Sequence, residues 1–478
     1  MSFILGLDAG TSGAGAVICD ADGRLMASAK RPWSYQPDAD GFPSIDPQAI
    51  LGSLGAASQE VLRAAAVAPG DITAVGITSQ RTGVVFTDAA GEVLHAGPNA
   101  DPRGMQHGIA IEREHGDDIY RTTGRLPVFL YLPARLAWLR ANKPQVASRI
   151  AHAFSFADWV CFALTGRAAT DRTQAAEMLC YSLADGGWSA ELCRALDVPQ
   201  AILPDIAEGQ PCGEVLPAAA TGFGLAAGTP VVPCGADSQC AAASMGAIDA
   251  GDVIVPAGTT MPVQQVVPKL VIDEQRRLWC SPHVMPDRFV IEAHCSEAGP
   301  AIDWLLGILD RDYAWLDQAA AVAPPGAGGI VHVDTGPTAM GDYPMVRTGG
   351  YSYPIPVMVL GRTREDLARA SLEGVAFAAR AAVEWLTSVS GADAARVMVT
   401  GGLAQSRTFA SILACVLGRP VRRAGLGQSS ALGACIVAAA ASGLHPSMAG
   451  AVAAMHDPGE EVPPEPGAPA VYDALYPG

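Results

Sequence analysis

Two stretches far apart in the chain end in nearly the same way. "ILGLDAGTS" (residues 4–12) and "VIVPAGTTM" (residues 253–261) each carry an apolar run into Ala-Gly and then into hydroxyl residues. A strand that stops on Ala-Gly-Thr turns back on itself, because glycine admits the backbone angles of a tight bend and hydroxyls serve the peptide groups freed there. One such strand and turn in each half implies an internal duplication, with each half opening its sheet on a hairpin. The length agrees, since 478 residues are too many for one core and enough for two domains.

The remaining pattern fits that frame. Residues 3–8, 14–19 and 24–30 read as three strands of an antiparallel meander joined by glycine turns. From Ile50 to Ala65 the apolar spacing is helical, and "ITAVGITSQRTGVVFTDAAGEVLHAG" predicts two or three more strands with a turn at Asp88 to Gly91. Helices follow in "LPARLAWLRAN" and "FSFADWVCFALTG", and the first half closes with "GTPVVPCGADSQCAAASMGA". Strands alternating with helices define the α/β class. A boundary near Met245 gives domains 1–245 and 246–456. The second restarts with "AGTTMPVQQVV" and continues through the helices "TREDLARASLEGVAFAARAAVEWLTSV" and "RTFASILACVLG". From about Asp457, "DPGEEVPPEPGAPA" is rich in proline and acid and predicts a loosely packed tail, 457–478.

Half the residues are apolar and 17% are charged, the balance of a compact soluble protein. The net charge of −17 repels phosphate backbones and no Lys/Arg block interrupts it, which argues against nucleic acid as a partner. A phosphorylated ligand then needs a metal ion and backbone N–H groups to neutralise it. Eleven cysteines, from Cys19 to Cys435 and mostly among apolar neighbours, include no C-x-x-C pair; they predict buried, reduced thiols and a cytoplasmic location. The start lacks the basic segment of a signal peptide. The longest apolar run, 431–441, is shorter than the roughly 20 residues a membrane helix requires, so it predicts a buried helix and no membrane partner.

Several short constellations carry chemistry. Each glycine turn presents backbone N–H groups and a hydroxyl at a strand end, which suits the oxygens of a phosphate chain. Either turn alone is also an ordinary hairpin, and their occurrence on matching strands is what favours the phosphate role. Asp8, just before the first turn, is placed either to hold a hydrated Mg²⁺ or to bond its own backbone. "GADSQ" (residues 235–239) opens a short Ala-rich helix. There Asp237 caps the helix or accepts the proton of a hydroxyl attacking a terminal phosphoryl group, and the two roles can coexist. "VTGGLAQSR" (residues 399–407) is a strand ending in paired glycines before a helix, by itself an ordinary strand-to-helix turn but also open to a flat base and its ribose. No G-x-x-x-x-G-K-[ST] exists and "GTSGAG" lacks the third glycine of a dinucleotide fingerprint, so P-loop and Rossmann readings fall away.

Taken together these stretches resemble the FGGY carbohydrate kinase family, from residue 3 to about 445. "GLDAGTS" is similar to its first phosphate motif, "GTPVVPCGADSQCAAASMGAIDAGDVIVPAGTT" to its catalytic-Asp and second phosphate region, and "VTGGLAQSRTFASILACVLGRPV" with "ALGACIVAAAASG" to its adenosine-side close. The resemblance implies the actin-like, hexokinase-like (ribonuclease H-like) α/β ATPase fold, two duplicated domains with a cleft between them. By position it implies Asp237 as catalytic base and Asp8 as the metal-associated acid. Gly10, Thr11 and Ser12 become the first phosphate turn, Gly258 and Thr259 the second, and Gly401, Gly402 and Ser406 the adenosine side. Gln80, Arg81, Asp101, Arg103 and Gln239 are the substrate-side candidates; each could serve instead in a structural ion pair or hydrogen bond, a role that suits Asp101 and Arg103 at least as well.

Within the family, "ITSQRTGVVFTD" resembles the glycerol kinase segment in which an Arg-Glu pair contacts the polyol, but Thr82 stands where the acid would be. That loss removes an acceptor for two hydroxyls and argues against glycerol. "PNADPRG", "RLPVFLYLPARLAWL", "SPHVMP" and "QQVV" are closer to the autoinducer-2 kinase branch. Two stretches depart from the family pattern: Pro233 interrupts the strand before Asp237, and "GGIVHVDTGPTAMGDYP" (residues 328–344) lacks an "ERxP"-like segment. The expectation is ATP- and Mg²⁺-dependent phosphorylation of a hydroxyl of a small polyol, ketose or open-chain compound, with a homodimer left open. A non-catalytic sugar or nucleotide sensor on the same fold is the competing reading, and an actin-like or chaperone ATPase ranks last.

Overall fold

In the computed structural model, which describes residues 2–207, 209–295, 298–333, 336–339, 349–354, 361–425 and 427–476, the N-terminal hairpin forms as its glycines predict. Phe3–Ala9 (β1) and Gly13–Asp20 (β2) pair antiparallel from Phe3↔Asp20 to Ala9↔Ala14, and Leu25–Pro32 (β3) continues the meander. Ile72–Ser79 (β4) lies parallel to β1 on its other side. Gly213–Glu214 (β5) and Pro230–Ala236 (β6) complete a sheet of order β5-β6-β4-β1-β2-β3, with β6 parallel to β4.

A second sheet repeats this plan. Val253–Pro256 (β7) and Met261–Val267 (β8) form its antiparallel hairpin. Phe289–Cys295 (β9), Val397–Thr400 (β10), Val421–Arg423 (β11) and Glu460–Val462 (β12) extend it in the order β12-β11-β10-β7-β8-β9, and Trp279–Pro282 adds a seventh strand beyond β9. The pairings β10 with β7 and β11 with β10 are parallel and β12 with β11 is antiparallel, as for the corresponding strands of the first sheet. The near-repeated sequence therefore reports a repeated topology.

The first sheet is covered on one face by the Pro47–Ala65 helix. Asp46 caps that helix by accepting from the Gln48 N–H, with Pro47 at its first position, and its stripe Ile50, Leu54, Val61 joins Leu5, Leu7, Ile18 and Ile77 in one core. The Ser429–Ala441 helix packs on the same sheet at backbone distance, which only glycine permits. A Cβ on Gly6 would lie 2.0 Å from the Ala431 carbonyl oxygen, and one on Gly433 1.9 Å from that of Cys240. This helix thus holds both β1 and the helix that follows β6.

Contacts divide the chain into two units that do not follow a single linear cut. The first comprises Met1–Ile248, Cys280–Phe289 and Gln428–His456, and the second the rest. Residues 428–456, grouped with the C-terminal half in the linear reading, pack with the first unit because their apolar run covers β1. The tail also differs from expectation. Instead of loose packing, β12 pairs with β11, and the Ala468–Leu475 helix buries Tyr472 completely. The Tyr472 hydroxyl donates to Glu373 Oε1 at 2.7 Å and accepts from Arg369 Nη2 at 2.8 Å. Its proline and acid content concealed these anchors. Pro233 does not interrupt its strand either, because a register shift between Pro233 and Gly235 absorbs the missing donor within β6. Of the departure at 328–344, residues 334–335 and 340–344 lie outside the described residues. All eleven cysteines are free, and Cys212 alone is not fully buried. Among the described residues, no helix is long and apolar enough to cross a membrane.

Candidate active site

In the first unit, β1, β4 and β6 are parallel and end at one level: Ala9 and Ala236 both lie opposite Ser79. Residues immediately beyond those ends therefore share one edge of the sheet, where ligands of open α/β sheets bind. They are Gly10 to Ser12, Gln80 with Arg81, and Asp237, while Asp8 sits one residue before the end of β1. The sequence could place each on its own strand. The parallel register brings them together.

The first turn is tightly determined. Gly10 N–H donates to Gly13 O at 3.1 Å. Trp33 Nε1 donates to Thr11 O at 3.1 Å, Asn99 Nδ2 to Thr11 Oγ1 at 2.9 Å, and Gln80 Nε2 to Gly10 O at 3.3 Å. Gln80 Oε1 in turn accepts from Asn99 N at 3.0 Å and Tyr35 Oη at 3.3 Å. Gln80, a substrate-side candidate, makes the structural hydrogen bonds that were its alternative role and braces the turn. Trp33, Tyr35 and Asn99 escaped the sequence reading; the available signal was the i, i+2 aromatic pair in "RPWSYQ", which puts both rings on one face.

Asp8 does not bond its own turn: its Oδ1 is buried and has no hydrogen-bond partner among the described residues. Burial first, and then the Asp237 carboxylate, push the Asp8 carboxyl well above the ordinary range, against a smaller opposing pull from Lys30. The same Asp237 charge adds to the burial that raises Tyr35, so Asp8, Tyr35 and Asp237 share one electrostatic environment.

Asp237 is the first residue of the Asp237–Ser244 helix, and Ala236 occupies the cap. The N-cap role is therefore not realised, because the strand runs into the helix one residue earlier than that reading required. Ser238 N–H donates to Asp237 Oδ1 at 2.7 Å and fixes the carboxylate. Gln239 is fully buried; its Oε1 accepts from Ser238 Oγ at 2.7 Å, and its Nε2 has no partner among the described residues. Arg81 is 12% exposed and faces Glu177 at 3.9 Å.

Asp101 and Arg103 close on one another instead. Arg103 Nε meets Asp101 Oδ2 at 2.6 Å and its Nη2 meets Asp38 at 2.8 Å, while the guanidinium lies over the rings of Phe42 and Trp138. Burial alone would raise the Asp101 carboxyl, but His95, Arg135 and Arg103 outweigh it and hold it low. This is the structural ion pair that the sequence left as the alternative.

In the second unit, the Gly258 N–H points back to Pro256 O and Thr260 O, and Thr259 is exposed. Gly401, at φ 89°, lies against this turn, where a Cβ would sit 2.6 Å from the Ala257 carbonyl oxygen. Gly402 and Ser406 line a cavity of about 270 Å³ together with Tyr313, Asp317, Leu372 and Gln405. Ser406 caps the Arg407–Leu417 helix through Phe409 N and donates to Asp317. It shapes the cavity wall with its hydroxyl already engaged. Tyr313 and Asp317 had no local sequence signal.

The chain matches a known family over most of its length. Residues 3–244 match the FGGY family of carbohydrate kinases, N-terminal domain, and residues 264–442 its C-terminal domain. The chain belongs to this family. It is a carbohydrate kinase with the two-domain actin-like ATPase fold. Among curated relatives, the autoinducer-2 kinase of Klebsiella pneumoniae subsp. pneumoniae is 27% identical over 471 residues, covering 94% of this chain and 87% of its own. The crystal structure of xylulose kinase from Rhodospirillum rubrum superposes with a TM-score of 0.85 at 28% identity, covering 99% of this chain and 96% of the other. Plasmodium falciparum glycerol kinase with ADP shares the fold alone, with a TM-score of 0.86 at 19% identity over 99% of this chain and 96% of the other.

Proposed function

We propose that this kinase transfers the terminal phosphoryl group of ATP to a hydroxyl of a small carbohydrate, a polyol, a ketose or an open-chain autoinducer-2-like compound, with Asp237 as general base. The observation that carries the reading is the common edge of β1, β4 and β6, which sets Asp237 beside Asp8 and the Gly10 turn. Phosphoryl transfer needs little more from a protein than positioned charge and an acceptor for the hydroxyl proton. Ser238 N–H orients the Asp237 carboxylate to take that proton. Gln239 and Arg81 are suited to the acceptor's other oxygens. In the Gly10 to Ser12 turn the Thr11 and Ser12 N–H groups and hydroxyls suit the phosphates, as does exposed Thr259 after Gly258, while the Gly10 and Gly258 N–H groups shape the turns themselves. The cavity at Gly402 suits the nucleoside, being near the lower end of small-molecule sites.

Asp8 fits Mg²⁺. Its unpartnered buried oxygen is the donor a hydrated ion uses when it takes only one or two carboxylates, and no cluster of three or more metal-binding side chains occurs among the described residues. When bound with the nucleotide, the ion would supply neutralisation of phosphate charge, which a chain of net charge −17 does not provide from a basic surface.

The test is ADP release from the purified protein with ATP, Mg²⁺ and a panel of polyols, ketoses and autoinducer-2-like compounds. One compound should drive turnover, and Asp237→Asn should lower kcat about a thousandfold while KM for ATP stays within about threefold. Saturable sugar binding without ADP would instead favour the sensor reading, and near-normal turnover by Asp237→Asn would remove the base.

A further inference from the structure

Arg81 stands two residues beyond β4, on the edge that carries Asp237. Its chain neighbour Thr82 is committed elsewhere: it adopts φ 59°, and its carbonyl accepts from the buried Arg135 at 2.5 Å. A carboxylate that faces Arg81 comes from a distant segment: Glu177, the residue that follows the Arg172–Ala176 helix. This short helix is fastened to the same strand ends. Gln174 Nε2 donates to Ser79 Oγ at 3.1 Å and Ser79 O at 3.3 Å, and Thr173 Oγ1 accepts from Ala236 N at 2.8 Å. Glu177 then closes the helix, with its N–H on Gln174 O at 3.0 Å. Its Oε1 accepts from Arg125 Nη2 at 2.5 Å, and the same nitrogen donates to Ser281 Oγ at 2.5 Å.

We propose that Glu177 is a positioning and specificity residue, which aims the Arg81 guanidinium at the oxygens of the carbohydrate acceptor. The inference rests on the reading of Arg81 as an acceptor contact. At 3.9 Å from Arg81 Nη1, Glu177 Oε1 orients the guanidinium through its charge, and with side-chain exposures of 12% and 2% this attraction is little weakened by water. A long arginine pre-ordered in this way loses less freedom when the acceptor arrives. Tyr131 belongs to the same buried group: burial raises its phenol, Arg125 and Arg81 oppose, and Glu177 reinforces.

The experiment compares wild type, Glu177→Gln, Arg81→Gln and the double variant, with acceptor binding by calorimetry and with kinetics. Glu177→Gln should weaken acceptor binding and raise its KM about tenfold, with kcat and KM for ATP within about threefold. The double variant should be little worse than Arg81→Gln, because the two losses are one interaction. Additive losses, or an acceptor affinity unchanged in Glu177→Gln, overturn the proposal. If Glu177→Gln does not fold because Arg125 is left without its charge partner, Glu177→Asp carries the same test, since it keeps the charge but withdraws it from Arg81. A wild type that binds the acceptor without ADP release sinks the kinase mechanism alone; the affinity ratios still decide the role of Glu177. A wild type that binds no member of the panel overturns both.

Discussion

The two glycine turns have nearly the same sequence and the same place in matching hairpins, yet they are held differently. The first is braced by side chains from outside its own hairpin: Trp33, Asn99 and Gln80 all donate to Gly10 or Thr11. Among the described residues, the second is held by backbone packed on backbone. Gly299 N–H donates to Gly258 O at 2.9 Å, Leu403 N–H to Ala257 O at 3.1 Å, and Gly401 leaves no room for a Cβ beside Ala257. A duplicated motif therefore fixes the path of the turn and not the means of holding it. Side-chain bracing couples the first turn to the segment that follows β4, through Gln80 and Asn99, whereas glycine packing couples the second to the wall of the Gly402 cavity.

Gly401→Ala should break the second turn most severely. The new Cβ meets the Ala257 carbonyl and the backbone is held at φ 89°, so a local loss of about 3 kcal/mol is expected, read as faster amide exchange at residues 257–260. Protection there equal to wild type would mean that the turn does not depend on glycine packing. Gln80→Leu should cost the first turn about 2 kcal/mol, since it removes the bonds to Gly10 O, Asn99 N and Tyr35. KM for ATP should rise more than KM for the acceptor. The reverse order would return Gln80 to the substrate-side role expected from sequence. Trp33→Phe, which deletes only the donor to Thr11 O, should cost about 1 kcal/mol and leave the second turn's exchange untouched. A change at 257–260 in that variant would show that the turns are not independently held.

Local pattern revealed the hairpins, the long helices and the strand-end acids, because alternation, helical spacing and glycine bends are short-range properties. It failed where composition and packing disagree. Proline and acid made the tail look loose, but Val462 and Tyr472 anchor it. The spacing around Asp237 suggested a cap, yet Ala236 takes that position. Asp101 and Arg103 read as polar candidates, and only their closure with Asp38 shows their charges committed.

By itself the sequence determined the duplicated α/β plan and the residue types available for phosphoryl chemistry. Those depend on neighbours within one strand or turn, whose preferences are set by backbone sterics and by burial on one face. The tertiary structure decided which polar groups meet. Glu177 reaches Arg81, Asn99 reaches Thr11, and the Ser429–Ala441 helix covers β1 from the other end of the chain. Such pairings follow from the register of parallel strands and from close packing across long loops, and no local preference encodes them.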